Sequence, residues 1–271
     1  MASSHPNEVP LIQVCIISNG NESRLRTARG AIEQFTWEGG GGRFDLRVVE
    51  WQPEFFAPSR WARLVRSLQS LTSSLTLHRS PLATAKLWLG HTVGFFGALS
   101  GPRSRNSKRA FAELALTEKH IRCLTGFLES ESHYLMVLED DVSCAADSNL
   151  DYQALLSTLE HLKDKACFLS LSKAFTLKEL GLQNRVREYN EYFINVPKSM
   201  TNTAAAYVVT KGFAEKAMQI ILLENSLRRL PADWMLTSIM TRATSMVCFH
   251  AKEGPFVNGS LLGLTPSEVS P

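Results

Sequence analysis

Tyr134-Leu135-Met136-Val137-Leu138-Glu139-Asp140-Asp141-Val142 decides how the rest of the chain is read. Five apolar residues, enough to cross a sheet that is buried on both faces, run directly into three adjacent carboxylates. In open α/β sheets ligands sit in the crevice outside the carboxyl ends of the strands, so acids that begin where a strand ends are placed for chemistry. Side chains alternate along a strand, which predicts Glu139 and Asp141 on one side and Asp140 on the other. An acid-x-acid pair of hard oxygen ligands suits a Mg²⁺ or Mn²⁺ ion that keeps several waters and is completed by substrate phosphates. Glu139, Asp140 and Asp141 are therefore the candidate metal ligands. The structural alternative is a helix N-cap, with Asp141 or Ser143 starting the segment that follows. A cap needs one acid, however, and three in a row repel one another unless a cation is present.

The surroundings of this stretch are those of an ordinary globular enzyme. With 271 residues, 44% hydrophobic and 20% charged, the chain can bury a substantial core in one large domain or in one domain with an inserted subdomain. A net charge of +3 is too small to argue for a nucleic-acid partner. No stretch reaches the roughly 18 uninterrupted apolar residues of a membrane-crossing helix. Residues 1–10 are polar, with neither a basic nor an apolar leader segment, and are read as a flexible N-terminus of a cytosolic protein. Five widely spaced cysteines without a Cys-x-x-Cys pattern read as reduced thiols, several of them in core strands.

Moving outward from the acidic strand, residues 11–18 read as a buried strand, followed by the turn signal Asn19-Gly20-Asn21. A helix over 22–35 places Leu25, Ala28, Ile32 and Phe35 on one face, with Arg24, Arg26 and Arg29 largely off it. Arg24 or Arg26, near the first strand's end, reaches a diphosphate or simply lies on a solvated helix face. Residues 44–51 alternate as a second strand, so the chain opens as βαβ. Residues 52–108 change register and read as a helical insertion or cap, with helices over 60–77 and 82–99. The first is basic and amphipathic, with Arg60, Arg63 and Arg66 at the edge of its apolar face. It either packs on its own domain or lies on an anionic lipid or glycan surface, a peripheral membrane contact. Arg103, Arg105, Lys108 and Arg109 are placed in a loop.

A helix over 114–129 begins near Lys119-His120 and leads into the acidic strand. Beyond it, 150–162 is an amphipathic helix and 167–172 a strand, and 173–200 is polar and irregular, suited to a lid over a pocket. Residues 204–210 form a strand that Lys211-Gly212 turns into a helix over 213–223. Pro231-Ala232-Asp233 opens one more helix, 245–250 is a strand, and 251–264 is a closing loop before the tail at 265–271. A single domain over 11–264 is expected.

Three further polar positions discriminate among chemistries. Asp233 is either the N-cap of its helix or a carboxylate held at the helix entrance to take a proton from a hydroxyl. His250, closing a strand, is either a hydrogen-bonded structural residue or an additional metal ligand. Asn258-Gly259-Ser260 is a loop whose backbone N–H groups and hydroxyl suit phosphate oxygens, although it lacks Walker spacing.

On these residues the chain resembles the family 25 glycosyltransferases, the lipopolysaccharide and lipooligosaccharide sugar transferases. Four segments carry the likeness in order: the opening strand with Glu22-Ser23-Arg24, then residues 115–122 with Lys119-His120, then Val137-Leu138-Glu139-Asp140-Asp141-Val142, and then residues 203–214 around Tyr207 and Lys211-Gly212, with Pro231-Ala232-Asp233 downstream. The family commonly has Ser-His where this chain has Lys119-His120, and the 52–108 insertion is not covered. The resemblance implies a GT-A-type, Rossmann-like nucleotide-sugar-binding fold with a mixed central sheet. It also implies metal-dependent transfer of a sugar, with inversion, from a nucleoside diphosphate sugar (a UDP-sugar foremost) to a hydroxyl of a glycan or glycoconjugate resembling lipopolysaccharide. Asp141, helped by Glu139 or Asp140, then holds Mn²⁺ or Mg²⁺ and Asp233 is the base. Arg24, Lys119, His120, Asn258, Gly259 and Ser260 lie toward the donor. Two other classes use the same residues differently: a metal-dependent nucleotidyl or phosphoryl transferase, which needs a second acidic cluster, and a non-catalytic carbohydrate-binding protein, which leaves the acids idle.

Overall fold

The computed structural model describes residues 12–18, 20–38, 44–50, 105–180, 182, 185–196, 201, 203–243 and 245–259, with the backbone alone at 105–112. The chain is an α/β protein with a mixed central sheet. Its elements are β1 (Ile12–Ile17), α1 (Glu22–Glu38), β2 (Phe44–Val49), α2 (Arg105–Leu128), β3 (Tyr134–Glu139), β4 (Val142–Cys144), α3 (Tyr152–Leu162), β5 (Ala166–Ser170), β6 (Arg187–Glu188), β7 (Phe193–Asn195), β8 (Ala206–Thr210), α4 (Lys211–Leu223), a 3₁₀ turn (Asn225–Arg229), α5 (Ala232–Arg242), β9 (Met246–Ala251) and β10 (Phe256–Asn258).

Eight strands form one sheet in the order β2-β1-β3-β8-β5-β9-β7-β6. β2, β1 and β3 are parallel, β8 is antiparallel to both β3 and β5, β5 and β9 are parallel, and β7 is antiparallel to β9. The carboxyl ends of β1, β3, β5 and β9 therefore share one edge of the sheet with the start of β8. The five apolar residues of β3 are all buried, as a strand covered on both faces requires. Side chains of one parity, among them Val137, Phe168 and Tyr207, pack with Ile121 and Leu124 of α2, Phe213 of α4 and Leu236 of α5. Those of the other parity, among them Met136, Leu138 and Val208, pack with Leu25, Ala28 and Ile32 of α1 and Leu155 and Leu159 of α3. Three layers result, α/β/α, with the acids at the rim of the middle one.

Several sequence expectations change here. No helix begins at Asp141 or Ser143: the chain forms β4, which pairs antiparallel with β10, and the next helix, α3, is capped by Asp151 through its bond from the Ala154 N–H. β10 also replaces part of the loop expected over 251–264, and β6 and β7 replace part of the irregular stretch over 173–200. These strands are two or three residues long, too short to show a period. α2 starts at Arg105 rather than near 114, so Arg105, Lys108 and Arg109 are helical and not in a loop. No Gly or Pro interrupts residues 103–125, and alanines and leucines favour continuing the helix. Lys119 and His120 consequently sit well inside α2. The helices expected over 60–77 and 82–99, with Arg103, lie outside the described residues.

Candidate functional site

β3 ends at Glu139, and the three acids part company there. Asp140 Oδ1 lies 2.9 Å and Asp141 Oδ2 3.4 Å from the same nitrogen, Nη2 of Arg24. The strand has ended, so the two-residue alternation expected for Glu139 and Asp141 no longer applies and Asp141 joins Asp140 instead. Asn21 accounts for the position of Arg24. Its side chain accepts the backbone N–H groups of Ser23 and Arg24 at 3.1 and 3.2 Å, an N-cap that starts α1 beside the end of β1. Gly20, at φ 80°, makes the tight turn between them. Arg24 is buried, so it is neither on the solvated helix face that the periodicity of α1 suggests nor turned outward to an anion. Ser18, just past β1, donates its hydroxyl to Asp140 Oδ2 at 3.1 Å. Lys119 Nζ reaches across from α2 to the Ser18 carbonyl. The backbone fixes the turn as well: Asp140 N–H donates to the Ile17 carbonyl and Glu139 N–H to that of Ala205.

Glu139 turns to the opposite face, toward α2. His120 is fully buried there, with Nδ1 2.8 Å from the Tyr207 hydroxyl and the two rings stacked at 5.6 Å. Its Nε2 lies 3.7 Å from Glu139 Oε1 and has no hydrogen-bond partner among the described residues. Burial pushes the His120 imidazole down to about 3, so it is neutral. Burial also lifts the Tyr207 hydroxyl well above its ordinary value, which keeps it a donor. Where Tyr207 donates to Nδ1, the imidazole proton sits on Nε2 facing Glu139. Glu139 is pushed up to about 7 by burial, with the charges of Asp233 and Asp140 adding to the shift.

Asp233 belongs to this second group. It is not an N-cap: Pro231 holds that position in α5, with no side-chain cap bond, and Asp233 Oδ1 accepts the next backbone N–H, that of Trp234, at 3.0 Å. Burial raises its carboxyl above the usual range. The Thr117 hydroxyl donates to the Leu230 carbonyl at 2.6 Å, tying the start of α5 to α2, and the Thr201 hydroxyl donates to the Asp233 carbonyl. Residues separated by more than a hundred positions thus converge at one end of β3.

The remaining candidates divide. Gly259 N–H donates to the Asp141 carbonyl at 2.7 Å, and Asn258 lies in β10 opposite Val142. Both sit beside the acids, but as ladder residues rather than as the expected phosphate loop, and the Gly259 N–H is already engaged. Ser260 lies outside the described residues. His250, in β9 opposite Ser170, is buried at the same sheet edge but three strands from β3, about 14 Å away at the usual strand spacing. The structure does not bring it together with Glu139. Ser18 and Tyr207 complete the arrangement without having been singled out from sequence as site residues. The available signal was their position, Ser18 ending the first strand and Tyr207 standing as the one aromatic residue in an otherwise small and aliphatic strand.

No family model and no curated protein matches this chain. Among solved structures, apo UDP-glucose pyrophosphorylase is similar over 93% of this chain and 95% of that one, with 12% identity and a TM-score of 0.34. At that likeness the chemistry has to be read from this chain's own residues. No group of three His, Cys, Asp or Glu side chains that would hold a metal occurs among the described residues. Asp140 and Asp141 nevertheless already hold one cation between them, the Arg24 guanidinium. Two buried carboxylates gathered on a cation are the hard-oxygen chemistry that Mg²⁺ or Mn²⁺ takes, with water or ligand oxygens completing the shell.

Proposed function

We propose that this chain is a glycosyltransferase with a GT-A-type fold, moving a sugar from a nucleoside diphosphate sugar to a hydroxyl of a glycan or glycoconjugate. The observation that carries the reading is the convergence at the end of β3: Arg24, His120, Glu139-Asp140-Asp141, Tyr207 and Asp233, drawn from each segment that resembles the family 25 enzymes, lie at one sheet edge. Asp140 and Asp141 are the residues to hold a divalent ion, and such an ion, when bound, neutralises charge on a leaving diphosphate.

Asp233 is the general base in this reading. Its carboxylate takes the proton of the acceptor hydroxyl as that oxygen forms a bond to the anomeric carbon and the bond to the diphosphate breaks on the opposite face. The raised pKa of Asp233 brings its basicity closer to neutral pH, where a base is most effective. His120, buried and neutral, adds no charge and holds the Tyr207 hydroxyl in place.

Two measurements test this. UDP-, GDP-, CMP- and dTDP-sugars are screened for thermal stabilisation with Mn²⁺ present, where a ligand at 100 times its Kd adds about 2.7 kcal/mol. Stabilisation by none of them overturns the reading, and release of a sugar 1-phosphate rather than of a nucleoside diphosphate moves it to nucleotidyl transfer. With a donor in hand, Asp233→Asn lowers kcat by roughly 10²–10⁴-fold while donor Kd hardly moves. A near-normal rate places the base elsewhere.

A further inference from the structure

We propose that Arg24 is a placeholder cation, occupying the position between Asp140 and Asp141 that a divalent ion takes, and that the ion enters only by displacing it. The inference takes from the reading above only that a divalent ion binds at these two aspartates. A sugar donor and an acceptor play no part in it.

The argument starts from charge. Two carboxylates side by side away from water are costly unless a cation is with them. Arg24 supplies that cation from a nitrogen shared by both groups, at 2.9 and 3.4 Å. An ion bound through Asp140 Oδ1 and Asp141 Oδ2 uses the oxygens that now face the guanidinium, and two cations in one such position repel each other even with partial screening. The Asn21 cap fixes the start of α1, so Arg24 is delivered to this position by backbone rather than by chance contact. Lys119, the other buried lysine or arginine among the described residues, reaches the Ser18 carbonyl beside the same turn.

Displacement has a consequence for binding order. The apparent affinity for a divalent ion is lowered by the stability of the arginine pair, since only the fraction of molecules with Arg24 withdrawn is competent. A ligand carrying phosphate gives the displaced guanidinium a new partner, for which its planar fork is well shaped. Ion and anionic ligand therefore bind with positive coupling, and the resting protein keeps its acids neutralised.

The test uses Mn²⁺ alone, with the free-ion electron paramagnetic resonance signal as readout, on the whole chain. Arg24→Gln removes the competitor and binds Mn²⁺ about tenfold or more tightly than wild type, the equivalent of one modest ion pair. Adding Asp141→Asn to that variant abolishes the gain, which locates the ion. Should Arg24→Gln fail to fold, Arg24→Lys keeps the charge without the planar fork and still binds Mn²⁺ more tightly than wild type. Mn²⁺ affinity equal to or below that of wild type in the folded variant overturns the proposal. So does a gain that persists when Asp141 is replaced.

Discussion

Glu139 has surroundings far from those of an exposed carboxylate. The last residue of a strand that is otherwise apolar, it faces a neutral histidine and stands close to two further acids, and its carboxyl is raised from 4.5 to about 7. In the folded protein it therefore binds its proton more tightly than in the unfolded chain. Its contribution to stability is fully present below about pH 4.5 and is lost as the pH rises through 7. His120 acts in the other direction, since its lowered value means that its contribution is present above about 6.5 and is lost as the pH falls toward 3. Glu139→Gln keeps the shape and removes the charge. It is expected to be more stable than wild type at pH 8, by about 1–3 kcal/mol, with the difference gone by pH 4. Urea unfolding of both proteins at the two pH values measures this. A variant less stable than wild type at pH 8 would mean that the ionised carboxylate is held by stronger favourable contacts than those described.

At the scale of elements, the small ribbon of β4 and β10 determines where Asp141 sits, because Gly259, just past β10, donates to the Asp141 carbonyl. β10 in turn is seated against the main sheet through Phe256, whose N–H and carbonyl bond to Leu171 and Lys173. The approach is close enough that a Cβ on Gly254 would lie 2.7 Å from the Leu171 oxygen, the Lys173 nitrogen and the Ser172 carbon. All of these are backbone atoms with little room to move. Gly254→Ala is accordingly expected to destabilise the fold by about 1–3 kcal/mol, as overpacking does, and to speed hydrogen exchange at the Gly259 amide. An unchanged urea midpoint would show that the ribbon gives way without strain. None of this was legible in the sequence. The apolar strands announced themselves, β3 and β8 through continuous hydrophobic runs and β1 through one broken only by Gln13, and α3 through its spacing of leucines. β4 and β10 are three residues each, and their pairing depends on a contact between positions more than a hundred residues apart. Arg24 was misplaced for a related reason. The face of α1 that periodicity marks as polar is solvated along most of its length, but at the first turn it meets the turn after β3, which no local pattern in α1 encodes.

The whole molecule is organised by the position of β8. In chain order it follows β5, yet in the sheet it lies between β3 and β5, bonded antiparallel to both. In the main sheet β2-β1-β3 lie on one side of it and β5, with β7 and β6 reached through β9, on the other, and β8 is the strand that joins the two sides. The same insertion brings Tyr207 beneath His120 and leads the chain through α4 to α5 and Asp233, so completion of the sheet and assembly of the candidate site are a single event. This explains why the acidic strand end could be recognised from sequence as a site while its partners on α2, β8 and α5 could be ordered along the chain but not positioned in space. It also sets an expectation for the chain cut after residue 203. That fragment keeps β1, β3 and β5 but leaves facing edges of β3 and β5 unpaired and the apolar residues of α2 without α4 and α5. A buried strand with no neighbour exposes both its ladder groups and its side chains, a cost that α1 and α3 alone do not offset. The fragment is expected to lack a cooperative thermal transition by circular dichroism. The full chain is expected to unfold in one transition, with tryptophan fluorescence and far-ultraviolet signals coincident. A fragment of residues 1–203 that unfolds cooperatively would show that the first strands form an independent unit, and that the site is assembled by docking of a separate half rather than by closure of one sheet.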